Sequence, residues 1–384
     1  MAIPFIDLSM QYDELKYEID AAMQQVASSN MYIMGNQVRQ FEEEFANFVG
    51  TKEAIGVGNG TDALVIALKA IGIRPGDEVI TTPYTFFATA ESIVQVGAKP
   101  VFVDVDERTF LIDVTKIEKA ITKRTKAIMP VHIFGQCADM KPILEIAKKN
   151  NLKVIEDACQ AVGASYDGIQ AGTMGDIGCF SFYPTKNLGC MGDGGMIVTN
   201  QRDIAMYCRS LRAHCSGMAG YEAYQLQKQN KEIGLPIVMP KYHYYQIGYN
   251  SRLDEIQAAI LRVKLRYLAK WNDMRIQCAR YYETLLPSSM TPNVLEHNIH
   301  VYHLYMLQVE NRETYEQVCA NEKIETGIYY PIPLNKQRVF EELYGPSELL
   351  VAENLSKKAL AIPMYPHLSK EKQNRIIEVL QSVE

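Results

Sequence analysis

Ser181-Phe-Tyr-Pro-Thr-Lys-Asn-Leu-Gly-Cys-Met-Gly-Asp-Gly-Gly195 is the stretch on which the reading of this chain turns. One lysine, Lys186, stands there among Ser, Pro, Asn and Gly, with the apolar run Met196-Ile-Val198 just behind it. Small residues let a backbone come close to a ligand. Two readings compete. Lys186 is an incidental charge on a surface turn, or it is a covalent nucleophile that holds a carbonyl-bearing cofactor as a Schiff base. The flanking sequence has to decide.

Upstream, short Val/Ile-rich runs alternate with helical patterns. The expected strands are 54–57, 78–82, 100–103, 127–131 and 153–156. The expected helices start at Thr61 and end near Gly72, or cover 88–96, 113–120 and 140–149. Such alternation predicts an α/β fold, with a largely parallel mixed sheet covered by helices. Two amphipathic helices precede it. One covers 10–30, with Leu15, Ile19, Ala22 and Val26 on one side. The other covers 37–49, with Val38, Phe41, Phe45 and Phe48 at helical spacing, and stops at Gly50. Downstream of the lysine, 195–199 reads as another strand. Residues 216–245 are Gln/Lys/Tyr-rich and weakly periodic, which predicts a long excursion serving substrate or a partner subunit. A long helical pattern then runs from Ser251 to about Leu285. Strand 303–309, helix 312–320 and helix 370–382 follow, predicting a smaller α+β unit. The expected division is a large domain over 1–250 and a small one over 251–384.

The bulk properties remove several classes of function. A chain of 384 residues suits one large and one small domain. With 47% hydrophobic and 22% charged residues it has the balance of a soluble enzyme. A formal net charge of −6 offers no basic field to nucleic acid. No apolar run reaches the roughly 18 residues of a membrane span. The first residues, Met1 to Leu8, lack a secretory signal pattern. Eight scattered cysteines without a Cys-x-x-Cys pair predict reduced thiols and a cytoplasmic protein.

Three further stretches bear on chemistry. Gly56-Val-Gly-Asn-Gly-Thr-Asp62 joins a strand to a helix, where N–H groups and the Thr61 hydroxyl suit a phosphate; a plain helix cap by Thr61 is the other reading. In Val154-Ile-Glu-Asp-Ala-Cys-Gln160, Asp157 closes an apolar strand at the sheet's carboxyl edge. A carboxylate there is costly without a cation or strong donor, and a protonated pyridine nitrogen is such a partner; a helix-capping role is the alternative. Gln160 is placed to reach the same pocket. In Thr81-Thr-Pro-Tyr-Thr-Phe-Phe-Ala-Thr89, Phe86 either stacks on a flat ring or packs in the core. His300 and His303 make a poor metal pair, because a strand would point them to opposite faces, and no metal is expected. A phosphate cup, an aromatic plane, a buried acid and a reactive lysine together are the parts that pyridoxal phosphate requires.

At this point the chain resembles the sugar-nucleotide aminotransferases of the DegT/DnrJ/StrS group. The resemblance runs over nearly the whole length. It is carried by Gly58-Asn-Gly-Thr-Asp-Ala-Leu64, His132-Ile-Phe-Gly-Gln-Cys-Ala-Asp-Met140, Ile155-Glu-Asp-Ala-Cys-Gln160, Ser181 to Gly189, Gly248-Tyr-Asn-Ser-Arg-Leu-Asp254 and Tyr330-Pro-Ile-Pro-Leu334. It implies the aspartate aminotransferase fold (PLP fold type I) and pyridoxal 5′-phosphate (PLP/PMP) as cofactor. It also implies roles. Lys186 carries the cofactor and moves the proton, and Asp157 pairs with the ring nitrogen. Gln160 contacts the ring hydroxyl and Phe86 stacks on the ring. Gly60, Thr61 and Ser181 bind the phosphate. Asn250 reaches the phosphate of the neighbouring subunit's cofactor, so the active unit is a homodimer. Tyr183, Arg252 and the Tyr329-Tyr330 pair are expected substrate contacts. Many relatives carry His where Tyr329 stands, which leaves the sugar open.

Lysine at position 186, where dehydratase relatives carry His, implies transamination. The implied reaction moves an amino group from L-glutamate to a nucleotide-linked 3-keto-sugar, for surface polysaccharide or glycoconjugate biosynthesis such as O-antigen. A UDP-linked 2-acetamido-3-keto-hexuronate and a dTDP-linked 3-keto-6-deoxyhexose both fit. The uronate needs a cation, for which Lys228, Lys231 and Lys241 are candidates. Amination at C4 of a 4-keto-6-deoxy sugar nucleotide and a PLP-binding regulatory protein stand as alternatives. A dinucleotide oxidoreductase would also be doubly wound, but its glycine fingerprint is absent.

Overall fold

A computed structural model describes residues 2–227 and 242–383. Seven strands form its central sheet: β1 (Glu53–Val57), β2 (Glu78–Thr81), β3 (Lys99–Phe102), β4 (Thr125–Ile128), β5 (Lys153–Asp157), β6 (Ile177–Ser181) and β7 (Gly195–Thr199). Their spatial order is β1-β7-β6-β5-β4-β2-β3. Only β7 is antiparallel to its neighbours; the pairs from β6 to β3 are all parallel. Such strands are covered on both faces, and their continuous burial shows it.

The helices of seven or more residues are α1 (Ser9–Ser29), α2 (Asn36–Val49), α3 (Gly60–Ala70), α4 (Ala88–Gln95), α5 (Met140–Lys149), α6 (Arg202–Leu211), α7 (Gly217–Gln227), α8 (Glu255–Leu285), α9 (Arg312–Asn321), α10 (Arg338–Tyr344), α11 (Leu350–Lys358) and α12 (Lys370–Gln381). Side-chain alternation along the strands sorts them into layers. Val154 and Val198 pack with α2, α5 and α8 residues such as Phe41, Ile143 and Leu261. Ile155 and Ile197 pack on the other face with Leu64, Ile93 and Ile204 of α3, α4 and α6.

α8 joins two bodies. Its first half places Ala258, Leu261, Leu265 and Leu268 in the large core. Its end places Cys278, Ala279 and Tyr282 in a smaller core. That core is built with the antiparallel pair β8 (Tyr305–Gln308) and β9 (Ala359–Ile362) and with Ile376 and Ile377 of α12. The division expected at residue 250 thus falls just ahead of a helix that serves both. The first residue of α8 also caps α2. Glu255 accepts hydrogen bonds from the N–H groups of Gly35 (2.8 Å), Gln37 (2.8 Å) and Val38 (2.9 Å), which α2 cannot satisfy internally. Glu255→Ala should therefore cost about 2–4 kcal/mol. Urea unfolding measures this; an unchanged midpoint would show the cap to be dispensable.

Several expectations need correction. The helix after β1 begins at Gly60 and is capped by Asn59, whose side chain accepts from Asp62 N–H at 2.8 Å, so Thr61 is not its cap. β4 ends at Ile128, earlier than expected, with Val131 making an isolated bridge to Asp157. Residues 300–304 lie ahead of β8, not within a strand, and His300 and His303 are both buried. β6, α6, α10, α11 and β9 escaped the sequence reading; the two strands are runs of only five and four residues. The 216–245 segment is not all irregular, since α7 occupies part of it. Lys228, Lys231 and Lys241 lie outside the described residues.

Candidate active site

β5 ends in two acids that alternation sends to opposite faces. Glu156 is fully buried and accepts four hydrogen bonds. Its donors are His132 Nε2 (2.8 Å) and the N–H groups of Gly172 (2.7 Å), Met174 (2.7 Å) and Gly175 (2.5 Å). Asp157 turns the other way, into a cavity of about 520 Å³ at the carboxyl ends of the parallel strands. It is 4% exposed. Its Oδ2 accepts from the Thr89 hydroxyl at 2.7 Å and its Oδ1 from Cys159 N–H at 3.2 Å. No cation pairs with it among the described residues.

Lys186 enters the same cavity from the loop between β6 and β7. Its N–H donates to Tyr183 O at 2.8 Å, closing a turn. α8 fastens the rest of this loop. Lys264 Nζ donates to Gly189 O at 2.7 Å, and Gln257 bonds both backbone groups of Met191. Asn187 Nδ2 donates to Asn272 Oδ1 (2.8 Å) and to Val301 O (3.0 Å). Positions 257, 264 and 272 lie about two turns apart along one side of the helix. Gly189 is obligatory, since a Cβ there would lie 2.3 Å from Pro184 O.

Burial among protein atoms lowers the proton affinity of Lys186; Cys159 and Asp157 oppose that shift. Its Nζ lies 3.5 Å from His303 Nε2. Burial pushes His303 well below the ordinary imidazole range, and Lys186, Arg275 and His300 add to the effect.

The cavity collects most of the residues singled out in the sequence. Gly60, Thr61, Phe86, Asp157, Gln160, Ser181, Tyr183, Lys186, Tyr329 and Tyr330 all line it. Gln160 Oε1 accepts from Phe134 N–H at 2.8 Å, and its Nε2 donates to the Tyr330 hydroxyl at 3.1 Å. Asn250 and Arg252 do not line it. Asn250 is exposed and Arg252 half-buried. Among the residues that went unrecognised are Thr89 and His303, which line the cavity, and Tyr84, which supports its wall. Thr89 lies one helical turn beyond Phe86, a spacing that could have found it. Tyr84 is buried; its hydroxyl donates to Tyr329 O at 2.8 Å and accepts from Tyr330 N–H at 3.2 Å, a link over more than 240 positions that no local pattern signals. His303 was weighed only as a metal ligand.

These residues fit pyridoxal phosphate. Asp157 is a buried carboxylate whose hydrogen-bond donors among the described residues are neutral, and a protonated ring nitrogen would supply the missing cation. At the start of α3, Gly60 leaves a hollow that a side chain would fill. A Cβ there would lie 2.7 Å from Ser181 Cβ and 3.2 Å from Cys159 Sγ. With the helix's unsatisfied N–H groups and the Thr61 and Ser181 hydroxyls, that hollow suits a phosphate.

Fold and cavity define a pyridoxal-phosphate enzyme. The chain belongs to the DegT/DnrJ/EryC1/StrS aminotransferase family, whose model matches residues 13–381. Among its relatives is a pleiotropic regulatory protein of Geobacillus stearothermophilus, 45% identical, with 98% of this chain and 97% of the relative covered. A UDP-N-acetyl-3-dehydro-alpha-D-glucosamine 3-aminotransferase of Acidithiobacillus ferrooxidans is 42% identical, covering 99% and 97%. A dTDP-3-amino-3,6-dideoxy-alpha-D-galactopyranose transaminase of Aneurinibacillus thermoaerophilus is 41% identical, covering 98% of each. The crystal structure of DesV from S. venezuelae superposes with a TM-score of 0.90 at 36% identity, over 100% of this chain and 98% of DesV. NtdA from Bacillus subtilis, solved with bound PMP, gives 0.86 at 32% identity over 100% and 85%. The protein is a PLP-dependent aminotransferase.

Proposed function

We propose that the enzyme transfers the amino group of L-glutamate to C3 of a nucleotide-linked 3-keto-sugar, forming a 3-amino sugar nucleotide in the cytoplasm for a surface glycan. The observation that carries this is the meeting of Lys186 Nζ, Asp157, Phe86 and the Gly60 hollow on one cavity. The names of the relatives that are 42% and 41% identical support C3, one on a UDP-sugar and the other on a dTDP-sugar.

When bound, pyridoxal phosphate supplies an aldehyde that takes amines covalently and a ring that accepts electrons from an adjacent carbanion. The chain's residues do the rest. Lys186 anchors the cofactor; its Nζ, once released, moves the proton at the reacting carbon. Asp157 holds the proton on the ring nitrogen, and Thr89 keeps its carboxylate aimed. Gln160 steadies the ring's edge and Phe86 covers one face. Gly60, Thr61 and Ser181 hold the phosphate. Tyr183, Tyr329 and Tyr330 meet the sugar.

Asn250 serves a neighbouring subunit, since it is exposed and apart from its own chain's cavity. The homodimer face includes Met31, Tyr32, Ile33 and Met34, which are 43–60% exposed. This run is joined to the 250–257 segment by the Ile33–Asp254 bridge. Through Gln257 and Met191 it approaches Asp193 at the cavity wall. Exposed apolar patches of this kind mark interfaces. Arg252, beside Asn250, lies on the same segment and is assigned to substrate there.

One relative's name favours a second reading, regulation. Incubating the PLP-loaded enzyme with L-glutamate and a panel of UDP- and dTDP-linked keto-sugars tests both. The expected products are 2-oxoglutarate and a 3-amino sugar nucleotide. A 4-amino product would overturn the C3 assignment. A protein that binds PLP but shows no glutamate-dependent change with any sugar would be a regulator.

A further inference from the structure

We infer that His303 is the positioning residue that holds Lys186 as a neutral amine, by donating its Nε2–H to the lone pair of Nζ. The inference rests on Lys186 being the cofactor's anchor, as proposed above.

The tautomer is set by the surroundings of the imidazole. His303 is 5% exposed. Its Nδ1 is buried and meets no hydrogen-bond partner among the described residues. A buried N–H without a partner is rarer and costlier than an under-used acceptor. The ring proton therefore belongs on Nε2, the nitrogen that faces Nζ at 3.5 Å, the outer limit of a direct hydrogen bond. A neutral amine accepts that proton through its lone pair. An ammonium has no lone pair and would set N–H against N–H. Restoring the fit by moving the ring proton to Nδ1 would bury it unpaired. Each protonated alternative for Lys186 thus sets the imidazole's proton against another donor or buries it unpaired; the neutral form does neither, and its own two N–H groups are left to the cavity that Lys186 lines.

The charges around the pair agree. Burial keeps His303 uncharged, and the nearby Arg275 of α8 and His300 add to that. Arg275 is buried, with Nη1 donating to Tyr302 O and Met364 O, and no carboxylate pairs with it among the described residues. Facing Nζ, Cys159 and Asp157 favour a proton on the lysine, and of these two Asp157 is the carboxylate. The neighbouring Cys159 stays a thiol, because burial first and then Asp157 raise its pKa. Asp157 in turn is occupied by Thr89 and Cys159 N–H. Tyr330, Tyr183 and Tyr329 complete the wall; burial pushes Tyr330 upward, so it adds no charge.

Neutral Lys186 is what the covalent step needs. Nζ bonds to the cofactor's aldehyde carbon, and the aldehyde oxygen leaves as water with the two protons that the amine gives up. An ordinary lysine, with a pKa of about 10.4, is almost wholly protonated near neutrality.

The test is the rate at which the apoprotein develops the visible band of bound cofactor on mixing with pyridoxal 5′-phosphate, followed against pH. Acylation of Lys186 in the apoprotein, read by peptide mass, gives the same profile without cofactor. His303→Asn fills the space but is too short to donate to Nζ, and His303→Phe fills it without a donor. Both should shift the profile to higher pH by about one unit, so that the reaction at pH 7 slows about tenfold. His303→Gln, which reaches Nζ with an amide N–H, should stay within about twofold of the parent. If the parent forms no visible band, the PLP anchor reading fails. If the parent forms it and the Asn and Phe profiles superpose on the parent's, or Gln shifts as far as they do, the role of His303 is overturned. Thermal midpoints check folding, and either non-donor variant suffices should the other not fold.

Discussion

Lys186→Ala should lower turnover by roughly 10⁴-fold or more and abolish the visible-range absorbance of the PLP-loaded enzyme. The size comes from two losses at one atom. Nζ is proposed both to anchor the cofactor and to move the proton, and a positioned proton carrier alone contributes about 10²–10⁴-fold. The structure keeps this test clean. Among the described residues Nζ has one hydrogen-bond neighbour, His303. The loop's shape rests on other contacts, namely Asn187 with Asn272, Lys264 with Gly189 O, and Gln257 with Met191. The variant should therefore fold, and its thermal midpoint should stay near the parent's. Phosphate and ring contacts remain, so it should still bind PLP, now reversibly and removable by dialysis. A variant that kept its visible band and its glutamate-dependent turnover would show that another residue is the anchor.

How far the sequence carried differs between kinds of feature, for physical reasons. The parallel sheet was legible because strands buried on both faces appear as continuous apolar runs, as in Val154-Ile155, between helices of distinct period. Asp157 and Gly60 were legible as cavity residues because each lies at a strand end or strand-to-helix junction, where an open α/β sheet puts its ligands, and Lys186 because it stands alone among small residues in the loop after β6. His303 was not. Its meaning depends on a contact across 117 positions, made by a segment that is neither strand nor helix. Of the two readings of Thr61, phosphate ligand or helix cap, the cap falls for a local reason. Asn59 and Thr61 both suit a cap, and only backbone geometry, with Asn59 extended at φ −166° and ψ 175°, picks Asn59. That choice leaves the Thr61 hydroxyl to the cavity.

The two acids of β5 show the same divide within one dipeptide, and the second large effect is expected at the one the sequence passed over. Glu156→Gln should destabilise the fold by about 3–5 kcal/mol, although it changes one atom. Each carboxylate oxygen takes two donors: Oε2 from His132 Nε2 and Gly172 N–H, Oε1 from Met174 and Gly175 N–H. Whichever way the amide turns, its NH₂ meets two donors. His132 cannot relieve the conflict by changing tautomer, because its Nδ1 already accepts from Ala138 N–H at 3.0 Å. No solvent reaches the pair, since both side chains are fully buried. The midpoint of urea unfolding measures the loss, and a midpoint equal to the parent's would refute the account. The loss should not stop at stability. The backbone of β5 that Glu156 pins also aims Asp157 into the cavity, with His132 N–H donating to Asp157 O at 3.0 Å. Glu156→Gln should therefore also bind PLP more weakly at a temperature where it is still folded. Asp157→Asn, which leaves the Glu156 cluster intact, should weaken cofactor chemistry with little change in the unfolding midpoint. The contrast between the neighbours separates the residue that builds the site from the residue that uses it.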